Sequence, residues 1–520
     1  MCCAILDNSS RFGKWMKVCF EKNFRIQGCE IINYLLEKSR VVSQSLNERN
    51  YHIFYQLLSG SDSNMKQRLF LTHPNDYNYL NTSQCIHIEN VDDSAEFRDT
   101  LQAMSTLQFS NATIENIFRI LSGILLLGNV GYVTPPNSDA CNIDQNTLNH
   151  LQHCAELFSV NRDMFTYSLV EKKVQMGRGS IISIKLNATQ AVDNRDTLAK
   201  TLYSNLFDYV IHRVNLTLKN EDVSNNLYSI GILDIFGFEV FELNSFEQLC
   251  INYANEKLQA HFNEVIFDYE KLLYEEESVP LEHILFEDNS ACVNLLEGKP
   301  YGVFVLLEEE CSLGNATDLT FISKLEKTFG TNKPHANKYF LKHKTKPECF
   351  TVLHFAGGVE YNVAAFLEKN KDNLSLTCKD VMEQSGIPLV VELFMERDKD
   401  TGMPVAPAGS SRENKKAAAK TTLGMQFRNQ LIGLISNLKV TEPHFIRCIK
   451  PNHLKKPNIL QGSLALCQLK YAGLFEAIRI RKSGFAYRVP YSVFANTYSI
   501  IVPNLLKEKK GKHSSLLLYS

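Results

Sequence analysis

Tyr228 to Leu273 reads YSIGILDIFGFEVFELNSFEQLCINYANEKLQAHFNEVIFDYEKLL. Its first seven residues are nearly all apolar and end in Asp234. That pattern predicts a buried strand delivering one carboxylate at its tip. Phe236, Gly237, Phe238 and Glu239 follow as a turn with a backbone-permissive glycine. A long helix is expected next. Asn244 is a good N-cap, and Glu247 three residues on completes an approximate capping box. Ile251, Ala254, Leu258, Phe262, Val265, Tyr269 and Leu272 step by three or four and form one apolar stripe. No glycine or proline interrupts Asn244 to Ser278, which predicts a rod of roughly 50 Å.

A length of 520 residues allows two to four domains. Apolar content of 44% and charged content of 22% are ordinary for a globular protein. The net charge of −2 makes no case for nucleic acid or a membrane surface. Fourteen cysteines show no paired CxxC spacing and read as buried free thiols of a reducing compartment. No transmembrane segment is expected: the most apolar stretch, Ile117 to Val133, contains Arg119 and Asn129 and reads as a core helix.

Near the start, Asp7-Asn8-Ser9-Ser10-Arg11-Phe12-Gly13-Lys14 sets two hydroxyls, an amide and an arginine together. Those groups suit phosphate and Mg2+ contact. A carboxylate at a strand tip, such as Asp234, can hold Mg2+, and a glycine N–H can meet a phosphate. The two stretches together resemble switch I (NxNSSRFGK) and switch II with the relay helix (DIFGFE, then NSFEQLCINYANEKLQ) of a myosin motor domain. Kinesins share Ser-Ser-Arg but differ on both sides of it, and Phe12-Gly13 and DIFGFE favour myosin. The family's first switch I asparagine is Leu6 here. Either the site is altered, or residues 1–6 are not the authentic upstream sequence.

The rest of the chain follows the family order. Trp15–Phe20 and Phe24–Cys29 read as paired strands, and Glu48–Leu58 as a helix whose His52 is structural. Lys172–Leu186 is a basic hairpin candidate, and Asn146–Phe158 a helix. Pro300–Lys327 resembles the helix–loop–helix of the family's lower subdomain, whose apolar tip meets actin in the family. Phe350–Lys371 resembles the HFAGxVxYxxxxFLEKN block of strand pair and helix. Arg397–Thr422 carries Lys415, Lys416 and Lys420 and stands where myosins have the basic loop 2. Leu431–His453 resembles the family's actin-binding region, and its PHFIRCIKPN part also reads as a strand. Cys467–Arg488 looks like the two short helices that pass motion to the converter. Tyr471 and Arg481 stand where muscle myosins have reactive cysteines, which suggests an unconventional class.

The resemblance implies an α/β fold: an incomplete P-loop NTPase-type motor with a mixed central sheet and mainly helical upper and lower fifty-kilodalton subdomains. Its expected divisions are 1–229 (switch I and upper subdomain), 230–397 (switch II, relay helix and lower subdomain), 398–422 (loop 2), 423–488 (a central-sheet strand and the force-transmitting helices), a converter start at 489–506 and a basic tail at 507–520. It implies ATP and Mg2+ as cofactors, with Ser10 and Asp234 on the metal. Asn8, Ser9 and Gly237 would contact phosphate, and Arg11 and Glu239 would pair across the two switches. It implies actin filaments as partner, met by Leu431, Lys439, Pro443, His444, Phe445, Arg447, Lys450, Pro451, Asn452, His453 and the three loop lysines. Ser180, sixteen residues before Asp196, falls at the family's regulatory phosphorylation position. The 520 residues contain no GxxxxGK[ST], no light-chain-binding IQ motif and no cargo tail. Two readings stay open: a cytoplasmic actin-based motor ATPase of which this chain is an incomplete part, or a non-hydrolysing actin-binding module derived from one.

Overall fold

A computed structural model describes residues 10–34, 36–175, 181–218, 228–276, 289–313, 315–371, 374–395, 422–454, 456–483, 489, 491–498 and 500–501. They fall into two compact units. The described residues of Asn8–Phe236 and Glu368–Leu423 form the first, and those of Gly237–Leu367 and Gly424–Ser520 the second. No described helix is long and apolar enough to cross a membrane.

The first unit holds a three-stranded antiparallel sheet. Gly13–Phe20 lies between Ile26–Tyr34 and Tyr228–Asp234. The register sets Lys14 opposite Asp234 and Trp15 opposite Leu233. Gly231 is required here, because a Cβ would collide with the Trp15 indole. The Tyr228–Asp234 strand is not buried, contrary to its apolar sequence. Ile230 is 58% exposed, and only Leu233, next to the tip, is partly covered. Among the described strands it is outermost in this sheet, with a neighbour on one side.

Helices make up most of the rest of this unit. Asn111–Leu127 runs through its core, started by the Ser110 hydroxyl accepting the Thr113 N–H. It buries Ile117, Phe118, Ile120, Ile124 and Leu125, as a core helix should. His52–Gly60, Asp93–Thr106, Leu148–Phe158 and Ala188–Leu218 complete the core with Phe54, Phe97, Leu151 and Leu202. The basic hairpin forms as expected, Glu171–Gln175 against Ile181–Lys185.

The second unit is built on the helix Phe246–Glu276, whose 31 residues span roughly 46 Å. Its stripe is buried only over the first half. Ile251, Ala254 and Phe262 are buried, but Tyr269 and Leu272 are exposed. Asn244 does not cap it. The Asn244 amide instead accepts the Phe241 N–H at 2.7 Å and donates to the Glu360 carbonyl at 3.0 Å, fixing the entry loop to a strand. The Gln248 side chain accepts the Ser245 N–H at the helix start.

That strand, Gly357–Asn362, belongs to an antiparallel sheet with Cys349–His354 and Phe340–Lys342. Every strand pair described in the chain is antiparallel, so the parallel component of the expected mixed sheet is not among the described strands. Aromatic rings fill the space between sheet and helices: Phe350 lies 5.6 Å from Tyr361, and Phe246 5.7 Å from Phe366. The helix pair Val303–Ser312 and Asp318–Phe329 is joined through buried Glu310, which accepts from Thr320 Oγ1 at 2.7 Å and Lys324 Nζ at 3.1 Å. Leu313 and Leu319 stand exposed at its turn.

Candidate functional site

Ser10 and Arg11 lead into the first strand. Asn8 and Ser9 lie outside the described residues. The Ser10 hydroxyl is exposed and donates to the Phe12 carbonyl at 3.0 Å. Arg11 is nearly covered and forks onto one carboxylate: Nε reaches Glu37 Oε2 at 2.7 Å and Nη2 reaches Oε1 at 2.9 Å. Glu37 also takes Arg40 Nε at 2.6 Å, and Arg40 continues to Glu48 at 2.7 Å. Burial pushes the Glu37 carboxyl up, but Arg40 and Arg11 outweigh it and hold it below the usual carboxylate value. Glu37 carried no sequence signal beyond its place in the EKSR run.

Asp234 ends its strand with a half-exposed carboxylate, 3.5 Å from Lys14 Nζ. Ser10 and Asp234 offer hard oxygen donors, a set that fits Mg2+. Gly237 begins the second unit. It does not need glycine's left-handed freedom, since the described glycines with positive φ are Gly357 and Gly473. A Cβ at Gly237 would meet nothing within 4 Å, so its small size leaves open space beside the backbone.

Glu239 is held through its main chain. Its N–H donates to Asn252 Oδ1 at 2.8 Å, and Asn252 Nδ2 donates back to its carbonyl at 2.7 Å. Asn252 is fully buried, one turn and a half into the long helix. Phe238 beside it packs on His354, Phe355 and Tyr471, with ring centroids 5.3 to 5.6 Å away. Tyr471 therefore fills space against the turn, a contact its sequence position did not announce. Further along the helix, Gln259 donates to the Gly473 carbonyl at 3.2 Å, between the helices Gly462–Tyr471 and Leu474–Ser483.

The segment after the helix Leu423–Lys439 forms no strand. Residues 442–450 have no regular structure, and a side chain holds the backbone at their end. Gln468 accepts the Lys450 N–H and donates to its carbonyl, both at 2.8 Å. Phe445 packs on Phe262 at 4.7 Å, and Arg447 donates from Nε to the Ala472 carbonyl at 3.2 Å. Lys439 pairs with Glu264 at 3.0 Å. Leu431 and Asn452 are buried and face inward: the Asn452 amide donates to the Lys456 and Ile459 carbonyls. His444, Pro451 and His453 are exposed, and Pro443 is half-buried. Ser180, Lys415, Lys416 and Lys420 lie outside the described residues.

One group of described side chains has metal-ligand spacing: Glu256, Cys292 and His354 bring donor atoms within 4.8 Å of one another. Both imidazole nitrogens already have partners. Nδ1 meets Glu256 Oε2 and Nε2 meets the Tyr361 hydroxyl, each at 2.9 Å. Burial, and then the Glu256 carboxylate, push the Cys292 thiol up, away from the thiolate a metal would need.

The described residues thus show a strand-end carboxylate and an arginine-anchored polar turn in the first unit, and a backbone-held loop ahead of a long helix in the second, within a chain of mixed helix and strand. The chain belongs to the myosin head (motor domain) family, whose profile matches residues 5–517. It is 40% identical to the Myosin-I heavy chain of Dictyostelium discoideum over 496 residues, 95% of this chain and 20% of that protein. It is 40% identical over 501 residues to Myosin-14 of Arabidopsis thaliana, covering 96% and 32%. It is 40% identical over 500 residues to Unconventional myosin heavy chain 6 of Caenorhabditis elegans, covering 96% and 23%. The chain thus spans between a fifth and a third of the length of these relatives.

Proposed function

We propose that this chain is part of an actin-based motor that couples ATP hydrolysis to movement on actin filaments in the cytoplasm. The observation that carries the reading is family membership over nearly the whole chain. The Asn252 hold on Glu239 supports it, because it ties the start of the long helix to the residue expected beside the reacting phosphate.

In this reading Ser10 and Asp234 hold Mg2+, which would neutralise phosphate charge as it develops. Ser9 and the Gly237 N–H orient the terminal phosphate and its attacking water. Arg11 and Glu239 pair to exclude bulk water, with Arg11 already oriented by Glu37. The chain's own part is fixed dipoles and charges rather than covalent chemistry. Residues 1–229, 230–397 and 423–488 serve as the upper, lower and force-transmitting regions. Actin would meet the exposed Leu313–Leu319 turn, the exposed His444, Pro451 and His453, and the loop lysines. Lys439, Arg447 and Lys450 supply charge at the edge of that surface.

The test is Mg2+-dependent ATPase of the full-length protein with and without filamentous actin, together with co-sedimentation. Stimulation by actin and release from it by ATP are expected. Neither effect in a folded preparation would overturn the reading.

A further inference from the structure

The Asn252 amide that holds Glu239 has a third bond. Its Nδ2 also donates to the Tyr361 hydroxyl at 2.9 Å. Tyr361 meets His354 Nε2, and His354 Nδ1 meets Glu256 Oε2. Glu256 also accepts the Phe355 N–H at 3.2 Å and Asn289 Nδ2 at 2.6 Å. Asn252, Tyr361 and Glu256 are fully buried, and His354 is 5% exposed. These side chains are shut off from bulk water.

With Glu256 as a carboxylate, the donors have one consistent order. Asn252 Nδ2 can only donate, so the Tyr361 oxygen accepts from it. The Glu256 carboxylate accepts, so His354 Nδ1 carries the proton. Nε2 is then free to accept the Tyr361 O–H. Every bond points from Glu239's neighbour toward Glu256.

We propose that Tyr361 and His354 are positioning residues for Glu239. They form a one-way hydrogen-bond relay that fixes the Asn252 amide, and through it the loop ahead of the long helix. Glu256 and Tyr361 belong to different elements, the helix and the Gly357–Asn362 strand, so the relay also sets the helix against the sheet. Its catalytic weight rests on the reading of Glu239 as part of a hydrolysis site; the relay itself does not.

Two measurements on full-length protein test it. Nitrogen NMR of labelled histidine should find His354 protonated at Nδ1 and unprotonated at Nε2; the opposite tautomer overturns the relay. Amide hydrogen exchange is the second. Tyr361→Phe keeps the ring and removes the hydroxyl, and should speed exchange at Glu239 about tenfold relative to the helix Val303–Ser312. Phe321→Leu, which disturbs the core of the same unit where it packs on Phe366 and not on the relay, should speed both alike. Equal acceleration in Tyr361→Phe overturns the relay. If exchange accelerates selectively, kcat for ATP should fall with KM nearly unchanged. Unchanged kcat would overturn the positioning role and leave the relay standing. Actin co-sedimentation of the same variant tests the motor reading separately.

Discussion

Arg11 and Glu37 form a two-bond fork, 2.7 and 2.9 Å, between the polar turn and a residue just after the second strand. Arg11 is therefore held in one orientation by Glu37. Arg11→Ala would leave Glu37 with Arg40 alone and destabilise the first unit by roughly 1–3 kcal/mol. Denaturant unfolding measures this, and an unchanged midpoint would contradict it.

The fork also shapes the test of the proposed Arg11–Glu239 pair. Arg11→Glu and Glu239→Arg should each abolish hydrolysis by the full-length protein. The double swap should recover part of it, but a glutamate at position 11 would face Glu37. Adding Glu37→Gln should therefore improve recovery. Hydrolysis still lost in that triple variant argues against a direct pair.

Asp193 supplies a pH dependence. Burial, then Glu368 and Asp196, push its carboxyl up from 3.8 to about 6. An acid raised in the folded state binds its proton more tightly there than in the unfolded chain. Its contribution therefore favours folding below 3.8 and is lost as pH rises toward 6. Asp193→Asn should raise the thermal midpoint at neutral pH and leave it nearly unchanged in acid. The same gain at both pH values would refute the assignment.

Ser180 is the proposed regulatory position. Ser180→Glu should give higher actin-activated turnover than Ser180→Ala in the full-length protein, and equal rates would end the idea.

Replacing Lys415, Lys416 and Lys420 with alanine should slow association with actin more at low salt than at high. The screening length falls from about 30 Å at 0.01 M to about 10 Å at 0.1 M. The same loss at both concentrations would exclude steering by this loop.

Elements with a strong local signal were legible in the sequence. The long helix, the Lys172–Leu186 hairpin and the strand pair before Phe366 all form. What failed depended on which partners each segment meets. An apolar run such as Tyr228–Leu233 predicts extended backbone, but not how many neighbours will cover it. Asn244 has the chemistry of a cap, but its Oδ1 is taken by the Phe241 N–H. Phe445–Ile449 has strand composition, yet no described strand pairs with its backbone. In the candidate site, Ser10, Asp234 and Glu239 could be named from motifs. Glu37, Asn252 and Tyr361 could not be given these contacts, because their relevance lies in which backbone or charge they meet.

Asn252 and Gln468 share a habit: each carboxamide supplies one acceptor and one donor to a single residue's main chain, Glu239 and Lys450 respectively. A neighbouring strand offers the same pair of groups, but releases them only as a ladder unzips. A single side chain lets go in one rotation. Two such bonds are worth about 2 kcal/mol net, so at part-buried Gln468 the released form would hold a few per cent of molecules, and at fully buried Asn252, which also holds Tyr361, far fewer. Each attachment then behaves as a catch with two positions, closed most of the time and opened by a single dihedral change.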